Sequence, residues 1–302
     1  MCKKTTTLIT YFASWYLKKR LSRFKLFADN PQEIQNRQLM GLIEKAKSTS
    51  FGKRHGFSSI NGYSEFKERV PLQDYESLEP FIGRMRKGET NMLWPGLVRW
   101  FAKSSGTTSD KSKFIPVTRE SLQEGHFKGG RDVLAFYFSN TKKSKLFEGK
   151  ALIMGGSTSI LGEKTLCGDL SAILLSNSPV LAKHFSFLDT TVSLIENWEE
   201  KLDKVSSSAI NQNITSLSGV PSWNLILLKK ILEKTGRDSI LDIWPNLELF
   251  IHGGVSFVPY REQFQKIIPS SQMNYLETFN ASEGFFGIQD NPASDDMRSM
   301  LD

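Results

Sequence analysis

The sequence is poor in the residues that define several specialised protein classes. Its 302 residues include two cysteines, four histidines, 11 prolines and 22 glycines. Two cysteines, Cys2 and Cys167, exclude a disulfide scaffold and a cysteine-rich zinc module, and the histidines include no pair at metal-ligand spacing. The low proline and glycine contents exclude a collagen-like chain. Hydrophobic residues make up 39% of the chain, which is enough for a substantial core in one large domain or about two domains.

A long hydrophobic run is also missing. The uncharged run Leu8–Leu17 has ten residues, whereas a transmembrane helix needs about 20. A signal peptide carries its charge before the apolar run and a small-residue cleavage site after it. Here Lys18, Lys19 and Arg20 follow the run and no such cleavage site is evident, so a signal peptide is not indicated. Together with the few cysteines, these absences predict a cytoplasmic protein.

Acidic residues are absent from residues 1–28, which contain seven lysine or arginine residues. The formal net charge of the whole chain is +7, so residues 29–302 sum to zero, with 32 charges of each sign. A neutral main body argues against a globally basic nucleic-acid-binding protein. The charge therefore belongs to a basic N-terminal helical segment, residues 1–28.

This N-terminal segment carries apolar residues on two sides of a helix. The stripes are Leu8, Phe12 and Trp15 on one side and Leu17, Leu21 and Phe24 on the other. Positions 15 and 17 are about 200° apart on a helical wheel, so the stripes face opposite directions. This favours a helix docked on the protein, with its lysines reaching outward, over membrane contact. A basic nucleic-acid- or membrane-binding function ranks last among the hypotheses.

Short apolar runs alternate with helical segments along the rest of the chain. Predicted strands cover residues 97–102, 151–154, 214–217, 247–251 and 273–279. Predicted helices cover residues 30–47, 118–138, 190–205, 221–235 and 259–268, with Asn30 and Thr118 as N-caps and Gly236 after a helix end. The pattern predicts an α/β fold with mixed, largely parallel sheets flanked by helices.

Three polar loops follow predicted strands, where open α/β sheets bind ligands. The first contains Ser104, Ser105, Gly106, Thr107, Thr108, Ser109, Asp110, Lys111, Ser112 and Lys113. Small residues let backbone N–H groups approach an anion, hydroxyl groups donate hydrogen bonds and a lysine adds charge. The loop lacks the glycine spacing of a Walker A motif, so an ordinary polar surface loop stays open as an alternative.

The second and third loops carry glycines and a carboxylate. Gly253 and Gly254 precede Val255, and paired glycines allow a flat ligand to approach the backbone. Ser282 and Glu283 follow the last predicted strand, and a carboxylate beside a hydroxyl suits Mg²⁺ together with phosphate. The alternatives are an ordinary strand-to-loop turn and a solvated glutamate.

Taken in order, the three loops resemble those of the adenylate-forming superfamily. The resemblance is closer to the Gretchen Hagen auxin-responsive promoter family, the acyl acid amido synthetases, and to its bacterial branch in particular. The matching segments are residues 103–109, residues 252–255 with Pro259 and Tyr260 just beyond, and residues 275–289. The resemblance runs from about residue 30 to the end of the chain.

The resemblance implies the N-terminal large domain of an adenylate-forming enzyme. Members of the family use ATP and Mg²⁺ to convert a carboxylic acid to an acyl-adenylate, which an amino acid then attacks to give an amide. The implied ligands are therefore ATP, Mg²⁺ and small acid and amino acid substrates, without nucleic acid. No side-chain nucleophile is needed, because the enzyme positions the reactants and stabilises phosphate charge.

Site residues follow from the motif match. Ser104 to Ser109 would hold ATP phosphates, assisted by Lys111 or Lys113. Gly253, Gly254 and Val255 would line the adenine and ribose side, and Phe279 would lie near adenine. Ser282 would contact the α-phosphate and Glu283 would hold Mg²⁺. The acyl pocket would be bordered by Leu217, Gly219, Val220, Pro221 and Ser222.

The resemblance also implies an incomplete chain, because family members continue well beyond residue 302. Residues 29–302 are then expected to form an incomplete N-terminal adenylation domain for ATP and acyl binding, with the C-terminal domain absent. We expect weak or absent amide synthesis by this chain alone. The alternative is a truncated, non-catalytic remnant that binds a nucleotide or a partner protein.

Overall fold

Helices and strands alternate along most of the chain. The computed structural model describes residues 3–104, 112–187, 192 and 195–302, with side chains from residue 10 onward. The helices are α1 (Lys3–Lys18), α2 (Leu21–Asp29), α3 (Pro31–Ala46), α4 (Ser50–Arg54), α5 (Tyr63–Arg69), α6 (Tyr75–Arg86), α7 (Phe127–Asn140), α8 (Leu170–Ser176), α9 (Val180–Phe185), α10 (Trp198–Ala209), α11 (Pro221–Thr235) and α12 (Val258–Ile267). The strands are β1 (Trp100–Ser104), β2 (Lys113–Val117), β3 (Lys150–Ile153), β4 (Thr158–Gly162), β5 (Thr165–Gly168), β6 (Ile214–Gly219), β7 (Leu249–Gly253), β8 (Asn274–Ala281), β9 (Gly284–Ile288) and β10 (Arg298–Ser299).

These strands form two mixed sheets, with orders β2-β1-β5-β4 and β10-β9-β8-β7-β6-β3. In the second sheet, β3, β6, β7 and β8 form a parallel block, and β9 and β10 extend it in antiparallel fashion. In the first sheet, β1 pairs in parallel with β5 and antiparallel with β2. The predicted mixed α/β fold is confirmed, and its parallel pairing is concentrated in the second sheet.

Helices cover both faces of the parallel block. On one face, Leu217 and Phe250 pack against residues of α10, α11 and α12 around the fully buried Trp244. On the other face, Leu249 and Leu276 pack against α7. Strands buried on both faces need apolar side chains in both directions, which explains the short apolar runs in the sequence.

One long helical segment connects the two sheets. Thr118 caps its start, since its Oγ1 accepts a hydrogen bond from the backbone N–H of Ser121 at 3.0 Å, as the sequence predicts. A π-helical turn, residues 121–126, runs directly into α7. Leu122 packs in the cluster of the first sheet and Val133 in that of the second. The segment therefore holds the first sheet, which carries the first polar loop, against the parallel block of the second sheet.

The basic N-terminal segment is docked on α7. Phe24 is buried and its ring centroid lies 4.7 Å from that of Phe136. Arg20 forms an ion pair with Asp132, whose side chain is fully buried. From the second apolar stripe, Leu17 and Leu21 also belong to the core cluster that includes Val133 of α7. Among the described residues, no helix is both long and apolar enough to cross a bilayer.

Several sequence-based boundaries need correction. Within the helix predicted for residues 190–205, Val192 is helical and residues 195–197 are not. α10 begins at Trp198, because Asn197 accepts the cap hydrogen bond from Glu200 N–H at 2.9 Å, and it continues to Ala209; residues 188–191 and 193–194 lie outside the description. Asn30 precedes α3 but makes no side-chain cap hydrogen bond. The sequence missed β2, β4, β5, β9 and β10, which are short strands paired antiparallel to distant or adjoining segments.

Candidate functional site

The candidate site lies at the carboxyl edge of the parallel block. Gly219 at the end of β6 pairs with His252 of β7, and Gly253 pairs with Thr278 of β8. The loops that follow β6 and β7, and the turn that follows β8, therefore leave the sheet side by side. A Cβ built on Gly254 would lie 3.6 Å from a methyl carbon of Val220. The structure thus brings together the predicted residues of two separate segments.

Glycine is required at two positions of this edge. A Cβ on Gly253 would lie 2.3 Å from the carbonyl oxygen of Thr278, closer than any van der Waals contact allows. Gly219 has φ of +129°, and its Cβ would lie 2.8 Å from the carbonyl oxygen of Met154. These glycines leave backbone instead of side chain at the surface, where a flat ligand can approach closely.

The third predicted motif forms the turn of a β-hairpin. β8 continues to Ala281, beyond the predicted end at Phe279, and Ser282 and Glu283 connect it to β9. The register shifts between Phe279 and Asn280, and such bulges redirect side chains at strand ends. Glu283 is exposed and Ser282 is half-buried. Phe279 is 56% exposed and its ring centroid lies 5.3 Å from that of Phe286.

The predicted acyl-pocket residues differ in what they can contact. Gly219, Val220 and Ser222 are partly exposed, whereas Leu217 has no exposed surface and packs in the core. Leu217 also lies inside β6 and not after it, which corrects the predicted strand end. Pro221 is buried at the first position of α11. Within this set, the end of β6, Val220 and the first turn of α11 therefore supply the accessible surface.

The first predicted loop lies mostly outside the described residues. Ser104 ends β1 and pairs with Lys113, which begins β2; Ser105, Gly106, Thr107, Thr108, Ser109 and Lys111 fall in the undescribed residues 105–111. The ammonium nitrogen of Lys113 lies 5.6 Å from the ring centroid of Tyr75 on α6. In this structure Lys113 therefore contacts a neighbouring helix.

Comparison with known proteins identifies the family. The model of the GH3 family N-terminal domain matches residues 20–273. The chain belongs to the GH3 family. This confirms the family that the three loop motifs predicted.

GH3 relatives and solved structures agree with this assignment. The chain is 23% identical to indole-3-acetic acid-amido synthetase GH3.3 of Arabidopsis thaliana over 87% of its own length and 54% of that protein. It superposes on the GH3.15 acyl acid amido synthetase with a TM-score of 0.69 at 16% identity, covering 91% of this chain and 58% of that one. An open conformation of 2-hydroxyisobutyryl-CoA ligase, in complex with 2-HIB-AMP and CoA, has a TM-score of 0.50 at 10% identity, with 81% and 52% covered.

These structures share the fold with this GH3 chain. The chain spans little more than half the length of the curated relatives that it matches.

The residues at the carboxyl edge fit a nucleotide with a bound cation. A Cβ on Gly253 would collide with the β8 backbone and Gly254 has φ of +83°, so both positions present backbone at the edge, and the exposed Glu283 carboxylate is next in sequence to the Ser282 hydroxyl. No group of three or more His, Cys, Asp and Glu side chains that could hold a metal occurs in the part of the chain that the structure describes. A single carboxylate suits Mg²⁺, which takes one or two protein carboxylates and completes its shell with phosphate oxygens and water.

Burial disfavours the charged forms of three polar groups beneath the edge. Burial and, to a smaller extent, nearby Arg261 lower the pKa of His252 to about 3; its ring stacks on Phe257 with centroids 4.1 Å apart. Burial also raises the pKa of Tyr275 to about 12. The half-buried Glu277 has a raised pKa because of burial and nearby Asp295. These groups support the site from the core side.

Two residues that the sequence did not indicate hold parts of this edge. His126 is 3% exposed, and its Nδ1 donates a hydrogen bond to Oδ1 of Asn280 at 2.7 Å. Burial lowers the pKa of His126, so its ring is neutral near pH 7. This contact connects the helical segment after β2 to the strand end that carries the Ser282–Glu283 turn. Sequence separation hides it, because no local pattern relates the two residues.

Lys201 of α10 holds the loop that follows β3. It is 3% exposed, and its ammonium group donates to the carbonyl oxygens of Gly155 at 3.0 Å and Gly156 at 2.9 Å. Burial lowers its pKa and nearby Asp169 opposes that shift. Gly155 and Gly156 directly follow the predicted strand at residues 151–154, whereas no local pattern indicates the buried lysine that holds them.

Proposed function

We propose that this chain supplies nucleotide- and acid-binding residues for a reaction in which ATP activates a carboxylic acid as an acyl-adenylate and an amino acid then attacks the acyl carbon to form an amide. Membership of the GH3 family and similarity to indole-3-acetic acid-amido synthetase GH3.3 support this proposal. The observation that carries it is the convergence of the β6 and β7 loops and the β8 turn around two sterically required glycines.

In this proposal the nucleotide lies along the carboxyl edge of the parallel block. Gly253, Gly254 and Val255 line its adenine and ribose side. The exposed ring of Phe279 offers a stacking surface for adenine, since aromatic rings prefer offset or edge contacts with other rings. Backbone at the glycine positions allows the base to approach within contact distance.

The phosphates are proposed to lie between the first loop and the β8 turn. Ser104 to Ser109, with Lys111 or Lys113, supply hydroxyl and backbone donors together with positive charge. The Ser282 hydroxyl donates to the α-phosphate. Glu283 ligates Mg²⁺, which neutralises charge on the phosphates.

The acid substrate is proposed to lie beside the β6 loop, bordered by Gly219, Val220 and Ser222. Its carboxylate oxygen bonds to the α-phosphorus as pyrophosphate leaves. The mixed anhydride with AMP then has a good leaving group, so an amine can displace AMP without a side-chain nucleophile. The protein's contribution is to hold the reactants in line and to stabilise the developing phosphate charge.

A second candidate function is nucleotide binding without amide synthesis. The observations that favour it are those of the nucleotide site alone, the glycine positions of β6 and β7 and the Ser282–Glu283 turn. The two candidates agree on the nucleotide site and differ in the second reaction.

Calorimetric titration with ATP and Mg²⁺ tests the nucleotide site. Glu283→Gln and Ser105→Ala are each expected to weaken binding at least tenfold, since each removes a charged or donor contact worth about 1.5 to 3 kcal/mol. Glu163→Gln is the matched control, because Glu163 is also exposed in a two-residue turn between antiparallel strands, β4 and β5. Failure of the folded chain to bind ATP, or equal weakening by the control, would refute the proposed site.

The two reactions are then measured separately. Acid-dependent exchange of radiolabelled pyrophosphate into ATP reports adenylation, and mass spectrometry of mixtures with a panel of acids and amino acids reports the amide. Exchange with amide product supports the first candidate. ATP binding without exchange or amide, across the panel, would favour the second.

A further inference from the structure

The outer face of α1 presents aromatic side chains to solvent. Tyr11 is 68% exposed, Phe12 62%, Trp15 54% and Tyr16 66%. We call these four residues the outer stripe; at 100° per residue they lie within an arc of about 140° on the helix. On the opposite side of the same helix, Leu17 is 8% exposed and packs in the cluster formed with α7. One side of α1 is docked, and the other presents four aromatic rings.

Positive charge accompanies the outer stripe. Arg20 is ion-paired with Asp132 and, at 3.5 Å, with Asp302, so its charge is matched inside the protein. Lys18 and Lys19 form no ion pair among the described residues, and the Lys19 ammonium lies 3.5 Å from the ring centroid of Trp15. Since residues 1–28 contain no acid, nothing in that segment neutralises these lysines.

We propose that the outer stripe, with Lys18 and Lys19, binds the surface of an anionic lipid bilayer. Trp and Tyr side chains are amphipathic and favour the depth of the lipid headgroups. Lysines beside them attract anionic headgroups, with stems long enough to keep the ammonium group at the headgroup level. The helix would lie in the plane of the interface. This surface is independent of the proposed nucleotide site.

The alternatives fit these observations less well. A second copy of this chain would bring two acid-free basic segments together, and like charges repel. Duplex nucleic acid would use the charge but would leave four aromatic rings without partners, since its contacts are mainly to phosphates. The opposed stripes of the sequence counted against a membrane-surface helix because they do not form one apolar face. In the structure the second stripe packs against the protein, whereas Phe12 and Trp15 of the first stripe stay exposed, so the exposed aromatic rings lie together on the outer face of α1.

Vesicle co-sedimentation of the whole chain tests the proposal. The probes are vesicles of phosphatidylcholine alone and of phosphatidylcholine with one third phosphatidylglycerol. We expect binding to the anionic vesicles at about 0.15 M salt and its loss at about 1 M salt. Lys18→Ala with Lys19→Ala is expected to weaken binding about 25-fold, at roughly fivefold for each lysine near the surface. Phe12→Ser with Trp15→Ser is expected to weaken it at least tenfold.

A matched control and a spectroscopic readout accompany these variants. Tyr63→Ser removes an aromatic ring that is 62% exposed elsewhere on the protein and is expected to leave vesicle binding unchanged. Tryptophan fluorescence is expected to shift to shorter wavelength on adding anionic vesicles, and Trp15→Phe is expected to remove that shift while keeping binding. Circular dichroism establishes that each variant is folded.

Several outcomes would overturn the proposal. These are no binding of the folded wild-type chain to anionic vesicles, equal binding to neutral vesicles, or unchanged binding of the outer-stripe variant. A wild-type dimer that the outer-stripe variant dissociates, without vesicle binding, would assign the face to self-association instead. The chain could also bind duplex DNA as tightly as anionic vesicles, with no change in the outer-stripe variant. That result would indicate that the basic residues bind nucleic acid instead of lipid.

Discussion

The ion pair between Arg20 and Asp132 anchors the basic N-terminal segment to α7, and its removal should destabilise the protein strongly. Nη2 of Arg20 donates to Oδ2 of Asp132 at 2.7 Å, and Nε of Arg20 donates to Oδ1. The Asp132 side chain has no exposed surface and that of Arg20 is 21% exposed. The carboxylate therefore depends on the guanidinium for its compensating charge.

The expected cost of Arg20→Met is about 3 kcal/mol of unfolding free energy. Breaking a buried ion pair by removing one partner costs about 3 to 5 kcal/mol, because a buried charge is left unpaired. The lower end applies here, since the partial exposure of Arg20 lets water reach the carboxylate once the arginine is gone. In the double variant Arg20→Met with Asp132→Leu no unpaired charge remains, so its cost should be smaller than the sum of the two single costs.

Urea unfolding followed by circular dichroism measures these free energies. Arg37→Met is the matched control, because Arg37 pairs with Glu33 on the surface with side chains 73% and 68% exposed; we expect a loss below about 0.5 kcal/mol. Equal losses for Arg20→Met and Arg37→Met would refute the argument from burial. Additive single costs in the double variant would refute the coupling between Arg20 and Asp132.

Three further predictions concern the region around the candidate site. Lys201→Met should lower the free energy of unfolding in urea by about 2 to 4 kcal/mol, because two buried loop carbonyl groups lose their hydrogen-bond donor. The control Lys204→Met, at an exposed position of the same helix, should lower it by less than about 0.5 kcal/mol. The pKa of His252 is about 3 in the folded chain and about 6.5 in the unfolded chain. Between these two pH values the unfolded state binds more protons than the folded state. The free energy of unfolding should therefore fall as the pH drops from about 6.5 toward 3. In unfolding midpoints compared at pH near 7.5 and 5.5, His252→Phe should lose stability less steeply than the wild type, and an equal loss in both proteins would contradict this argument. Gly253→Ala should weaken ATP binding in calorimetry, because the Cβ of the new alanine would displace the β8 backbone. Unchanged affinity for ATP would contradict the proposed nucleotide site at Gly253.

Local sequence patterns were sufficient to predict strands of the parallel block and a helix that packs on it. The strand runs at residues 214–217 and 247–251 and the helix at residues 221–235 were predicted because apolar periodicity, Pro221 and Gly236 are properties of adjoining residues. α11 matches its prediction at both ends. The short strands β4, β5 and β9 were missed, since the hydrogen bonds of such strands depend on a partner strand and not on their own composition.

The sequence by itself determined the family and the chemistry available at the candidate site. Motif order along the chain is local information, so the glycine pair and the Ser282–Glu283 turn could be read without a structure. Tertiary structure alone decided which groups meet: the pairing of His126 with Asn280, 154 residues apart, and the position of Lys201 under the β3 loop. It also decided which stripe of the N-terminal helix is buried. Such contacts join segments that are distant in the chain, and their partners are chosen by packing of the whole domain rather than by any local pattern.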